Sequence, residues 1–280
     1  MPGEPSVWIQ ELTWQEIRDY LTRDDVALVP IGSTEQHGPA GTLGVDTYVA
    51  IGLAEDAARR AHVLVAPPLW YGESSHHMAL PGTISLRADT LLAVVKDVSR
   101  SLARHGFRKL VLINGHKGSN LPALITAAKS LHEEELSDVL IAVADPLHLG
   151  RTIAREVKEA PEHHAGELEL SQVWYRFPLQ IRPERLTTEG ADLRQALGPF
   201  GVVDLFGTHG DTIEIPWSSA DQEAIAPSGS LSDSSRASQE KGRRFHEHMV
   251  ENLVRFIQWL REYHGPIGRT PVETRGRERL

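Results

Sequence analysis

Twice along this chain an apolar run of strand length ends in a turn, and chemically active side chains crowd the residues that follow. In the first, Ala27, Leu28, Val29 and Ile31 lead to Gly32, then to Ser33-Thr34-Glu35-Gln36-His37-Gly38-Pro39 and Asp46. In the second, residues 110–113 lead to Asn114-Gly115-His116-Lys117-Gly118-Ser119-Asn120. Short apolar runs bounded by turn residues read as buried strands. Open α/β sheets place their ligands beyond the carboxyl ends of such strands. This layout constrains the fold more than any other feature.

Glu35 and His37 are two apart, so in an extended segment they point the same way. With Asp46 they make an acid–imidazole–acid set of the kind that ligates divalent metals. A polar loop with a capping hydroxyl and a solvated glutamate accounts for the same residues. A third cluster, Glu162-His163-His164-Ala165-Gly166-Glu167-Leu168-Glu169-Leu170-Ser171, opens a helix, where the dipole favours carboxylates. His116 alone reads as a turn residue and the His163–His164 pair as surface. Three such clusters, two of them after strand-like runs, are hard to explain as bland loops.

Between them, strands are expected at 26–31, 63–67, 110–113 and 139–144. Helices are expected at 49–60, 89–105, 122–135, 166–175 and 245–264, with a capping box at Thr13 and Glu16 ahead of another. Strand–helix alternation predicts an α/β fold, a three-layer α/β/α domain with a mostly parallel central sheet. We expect a single domain over 1–265, with a loop-rich segment at 176–235 near the active site or subunit interfaces, and a flexible tail at 266–280. His209-Gly210-Asp211 reads as an ordinary turn, and His246 and His248 as solvated. The chain of 280 residues has no cysteine, so any metal must be held by nitrogen and oxygen, which suits Zn, Mn or Fe(II). A net charge of −9 gives no reason to expect nucleic acid or an anionic membrane as partner. The N-terminus has no basic region followed by an apolar one, so a cytoplasmic enzyme is expected.

The chain resembles the creatininase (creatinine amidohydrolase) superfamily over nearly its whole length. The resemblance rests on Gly32 to Pro39 with Asp46, on Tyr71-Gly72-Glu73-Ser74 with His77, and on Pro81-Gly82-Thr83-Ile84-Ser85-Leu86. It continues through Asn114-Gly115-His116 with Asn120, and His164-Ala165-Gly166-Glu167 with Glu169 and Ser171. It ends in Pro227-Ser228-Gly229 and Glu240-Lys241-Gly242. It implies a binuclear divalent-metal site, two ions per subunit, in which Asp46 bridges. Glu35 and His116 would complete the first metal, and His37 would hold the second.

Two departures separate the chain from creatininase itself. Gly118 stands where that enzyme has a ligand glutamate, and Lys117 where it has a substrate-contacting aromatic. Glu167, at a position where many other members carry a glutamate, is expected to replace the missing ligand and so to be catalytic. The resemblance makes His164 the catalytic proton-transfer group. His163 and Lys117 are expected to contact substrate, Ser74 and His77 to line its pocket, and Glu169 to stand behind the ligands. A dipole-matching role for Glu167, a turn role for Ser74 and a surface place for His77 are the bland alternatives.

The expected function is a metal-dependent hydrolase that uses a metal-bound hydroxide to cleave a C–N bond of a small non-peptide amide, cyclic or linear. The alternatives are ring-opening C–C hydrolysis of an oxidised inositol or cyclic keto-polyol, formamide deformylation, and an inactive metal-binding scaffold. Partners implied are a small-molecule substrate and further copies of the chain, as a homo-oligomer and by resemblance a hexamer.

Overall fold

A computed structural model describes residues 5–207, 213–263 and 265. Thr13 caps α1 (Trp14–Tyr20) with the expected capping box. β1 (Val26–Ile31) follows, then α2 (Val45–Ala61), β2 (Leu64–Val65) and α3 (Ala88–His105), which stops at Gly106 in the left-handed region. β3 (Lys109–Asn114), α4 (Leu121–Glu134), β4 (Leu140–Ala144), α5 (Pro146–Leu149) and α6 (Arg151–Val157) come next. The remainder is α7 (Glu167–Arg176), α8 (Leu193–Leu197), α9 (Ser219–Ile225) and α10 (Gln239–Glu262). The sheet order is β2-β1-β3-β4 with every pairing parallel.

Every residue of β1 is buried, because the sheet is covered on both faces. Its side chains alternate: Val26 and Leu28 pack with α2, α7 and α10, while Val29 and Ile31 pack with α3 and α4. In α10 the apolar stripe Phe245, Met249, Leu253, Ile257 and Leu260 falls on one face and is fully buried. Each such side chain contributes about 1.5–3 kcal/mol.

Four expectations shift. α10 begins at Gln239 rather than 245. α2 begins at Val45 rather than 49, so Asp46 lies in its first turn; Gly44 gives no side-chain cap to mark the start. β2 is two residues long rather than five. His246 is buried, not solvated: its Nε2 lies 2.9 Å from Asp56 and its Nδ1 3.3 Å from Gln172. Among its described residues, the segment 176–235 holds α8, α9 and two single 3-10 turns joined by loops. His209-Gly210-Asp211 and the tail at 266–280 lie outside the described residues. No described helix is long and apolar enough to cross a membrane.

Candidate metal centre

β1 and β3 are neighbours, paired Ile31 to Asn114, so the segments leaving them emerge side by side. The first turn of α2 comes down on both. A Cβ on Gly32 would lie 2.3 Å from Thr47 Cα, and one on Gly115 would lie 1.9 Å from the Asp46 carbonyl oxygen. Glycine at these two positions is what lets Asp46 reach the strand ends. The first turn of α7 closes the site from the other side. The buried Glu162 fixes that turn by accepting the Leu168 and Glu169 N–H groups at 2.9 and 3.0 Å.

Glu35, His37, Asp46 and His116 converge there, each no more than 4 % exposed. Asp46 lies between the two rings: Oδ1 is 3.4 Å from His37 Nε2, and Oδ2 is 3.2 Å from His116 Nδ1. His37 Nδ1 donates to the Glu35 carbonyl at 3.1 Å, and His116 Nε2 to the Glu73 carbonyl at 2.9 Å. A carbonyl can only accept, so each ring carries its proton on that outer nitrogen. In the neutral rings, His37 Nε2 and His116 Nδ1 then turn lone pairs toward carboxylate oxygens. Only a cation or an added proton makes that arrangement favourable. Glu35 Oε1, His37 Nε2 and Asp46 Oδ2 are buried without a hydrogen-bond partner. Ligand atoms of Glu35, Asp46 and His116 lie within 4.8 Å of one another, as do those of His37, Asp46 and Glu169. The donor set therefore fits divalent cations.

Without a cation, protons take up the imbalance. Burial opposes a charge on His37, but Asp46 and Glu169 outweigh it and raise its pKa to about 9. Burial likewise opposes His116, and Glu35 and Asp46 raise it to about 10. Burial pushes Asp46 up, yet the two rings hold it well below the usual carboxylate range.

The structure does not bring Glu167 to this cluster. Its carboxylate is buried the other way, paired with Lys241 of α10 and accepting the Glu159 N–H at 2.9 Å. Glu169 stands in the cluster instead, Oε2 lying 3.6 Å from His37 Nε2. Its carboxylate is held by Lys117 Nζ at 2.5 Å and by the Ala165 N–H at 2.8 Å. Ala165 takes φ +56°, a left-handed conformation unusual for alanine, and this turn separates His164 from Glu169. Lys117 is only 5 % exposed on its side chain, so it faces Glu169 rather than solvent. Ser74 does not line the cavity wall: it is buried behind Glu35 and donates to Oε2 at 2.5 Å.

His164, His163 and His77 do line a cavity of about 670 Å³ that opens onto the cluster. His164 Nδ1 is 3.5 Å from Glu35 Oε1, and its Nε2 is 2.9 Å from the Gln36 amide nitrogen. Burial, then the His77 and His37 rings, push its pKa well below 6.5. Burial lowers His163 to about 4. His77 Nε2 is 3.2 Å from Glu35 Oε1, while its Nδ1 meets the amide nitrogens of Gln222 at 2.6 Å and Gln36 at 2.9 Å. Gln222 in turn accepts from Trp217 Nε1 at 3.3 Å, a residue of the cavity wall. Gln36, Gln222 and Trp217 were not among the sequence candidates. Gln36 lay inside the first motif, but nothing local marks the other two.

The chain matches the family model described as creatinine amidohydrolase over residues 10–257. It is 29 % identical to a 3-dehydro-scyllo-inosose hydrolase of Thermotoga maritima, covering 97 % of this chain and 88 % of that protein. It is 29 % identical to a creatinine amidohydrolase of Pseudomonas putida, covering 90 % and 96 %. A mycofactocin precursor peptide peptidase of Mycobacterium ulcerans is 31 % identical over 83 % of this chain and 84 % of its own. A crystal structure of creatinine amidohydrolase superposes with a TM-score of 0.75 at 27 % identity, covering 93 % and 100 %. A manganese form of creatininase gives 0.74 at 26 %, covering 92 % and 100 %. Sequence, fold and the converging acids and imidazoles agree: this chain belongs to the creatininase family of hydrolases.

Proposed function

We propose that the protein is a metal-dependent amidohydrolase that cleaves a C–N bond of a small non-peptide amide. The observation that carries this reading is the set of buried, unpartnered atoms, Glu35 Oε1, His37 Nε2 and Asp46 Oδ2, beside an open cavity. Glu35, Asp46 and His116 would hold one divalent ion, and His37, Asp46 and Glu169 a second, with Asp46 common to both. When bound, such ions supply Lewis acidity to a carbonyl oxygen and lower the pKa of water toward neutrality. Zn, Mn and Fe(II) all suit these donors.

The protein's own groups do the rest. Ser74 orients Glu35, and Lys117 with the Ala165 N–H orients Glu169. His164, neutral at pH 7 and on the cavity wall, takes the proton that the attacking water gives up and passes it to the leaving nitrogen as the C–N bond breaks. Lys117 is committed to Glu169, so it serves substrate less directly than a free lysine would.

Hydrolysis of an oxidised cyclic polyol is the second reading, favoured by the near-full-length similarity to the inosose hydrolase. Elemental analysis of metal per subunit, followed by an amide panel assayed for released ammonia or amine, tests the first. About two metals and amine release are expected. Turnover of a cyclic keto-polyol with no amide cleaved would replace the first reading by the second. A homo-oligomer, by resemblance a hexamer, is part of this proposal, and light scattering after gel filtration checks it.

A further inference from the structure

The cavity lining is of two kinds. One is the histidine and carboxylate cluster. The other is a set of apolar side chains, Ile125 of α4, Leu147 of α5, and Leu197, Val202, Ile215 and Trp217 from α8 and the chain between α8 and α9. Ile125 is 44 % exposed and Ile215 is 41 % exposed, so this wall stands open to solvent while continuous with the catalytic groups. The charged residues that share the wall, Arg151 and Glu214, are themselves exposed. A cyclic polyol needs a polar partner for each hydroxyl it buries, and these six side chains offer only the Trp217 N–H, which already donates to Gln222. A cavity of about 670 Å³ lies within the range that holds ligands of drug size, about 300–1,000 Å³.

We infer that the site takes amides bearing an apolar aliphatic or aromatic group of several carbons, seated against the wall formed by Ile125, Leu147, Leu197, Val202, Ile215 and Trp217. The inference rests on the amidohydrolase reading of the same cavity and narrows it. The apolar group supplies binding energy away from the reacting carbonyl and fixes the C–N bond beside His164.

The test is calorimetric titration of the zinc-loaded protein with straight-chain hydroxamates, from acetohydroxamate to octanohydroxamate. Affinity should rise about fourfold per methylene until the wall is filled. In an Ile125→Asn, Ile215→Asn double variant the series should flatten, with acetohydroxamate binding as in the wild type. A flat series in the wild type, with acetohydroxamate still bound, overturns the apolar subsite and leaves the metal reading standing. A length-dependent series that persists unchanged after chelation supports the subsite and removes the metal reading. Binding by no member of the series overturns both.

Discussion

Two glutamates two positions apart on one helix can be told apart by experiment. Glu169 faces His37 and is tied to Lys117 and the Ala165 N–H; Glu167 faces Lys241 and the Glu159 N–H. Glu169→Gln keeps the volume and an acceptor oxygen for Lys117, so the fold should survive while an anionic ligand is lost. Metal content should fall from about two to about one per subunit. Glu167→Ala should leave metal content intact but strip a buried pair of one partner. Such losses cost about 3–5 kcal/mol when the remaining charge is left alone; Lys241 is 18 % exposed and keeps Glu159 as a second partner, so we expect about 1–2 kcal/mol. For a chain of this size that is a fall in Tm of roughly 3–6 °C. The assays are elemental analysis and thermal unfolding on both variants. A Glu167→Ala protein that loses one metal, beside a Glu169→Gln protein that keeps two, would refute the assignment.

Replacing His164 by Ala should lower kcat by about 10²–10⁴-fold with metal content unchanged, read by steady-state kinetics on whichever amide is turned over. Gln222→Leu removes a donor from His77 Nδ1 behind Glu35 and should weaken metal affinity about 10-fold or more, read by competition with a chelating dye. In chelator-treated protein, His37 and His116 have pKa values raised above the unfolded value, to about 9 and 10. Their stabilisation is then fully present below about pH 6.5 and lost as pH rises through 9 to 10. Urea midpoints that stay level from pH 7 to 10 would count against this. Gly115→Ala forces a methyl to 1.9 Å from the Asp46 carbonyl and should cost at least about 1–3 kcal/mol, visible as a lower Tm.

The parts of the site that sequence could reveal are those whose signal is local. An apolar run, a glycine and an Asn-Gly-His turn announce a strand end without help from the rest of the chain, and Glu35, His37, Asp46 and His116 do converge. The choice between Glu167 and Glu169 is not local. Residues two apart on a helix face roughly 200° apart, and which face meets the site is decided by where α10 lies. Lys241, 74 residues further on, captures Glu167 and so turns Glu169 inward. The burial of His246 is equally non-local. Its neighbours Arg243, Arg244 and Glu247 suggest a wet face, but Asp56 and Gln172, on two other helices, enclose it. The apolar wall was invisible because Leu197, Val202 and Ile215 sit in a segment with no periodicity to read.

The candidate ligands are drawn from residues 35 to 169, on loops and helices that only the finished sheet brings together. The unfolded chain has no comparable pocket, so a cation held there binds the native state alone. By mass action, free metal at about one hundred times its Kd adds about 2.7 kcal/mol to the stability of the fold. On the proposed metal-dependent reading, metal supply would control how much of this protein persists as well as how fast it works.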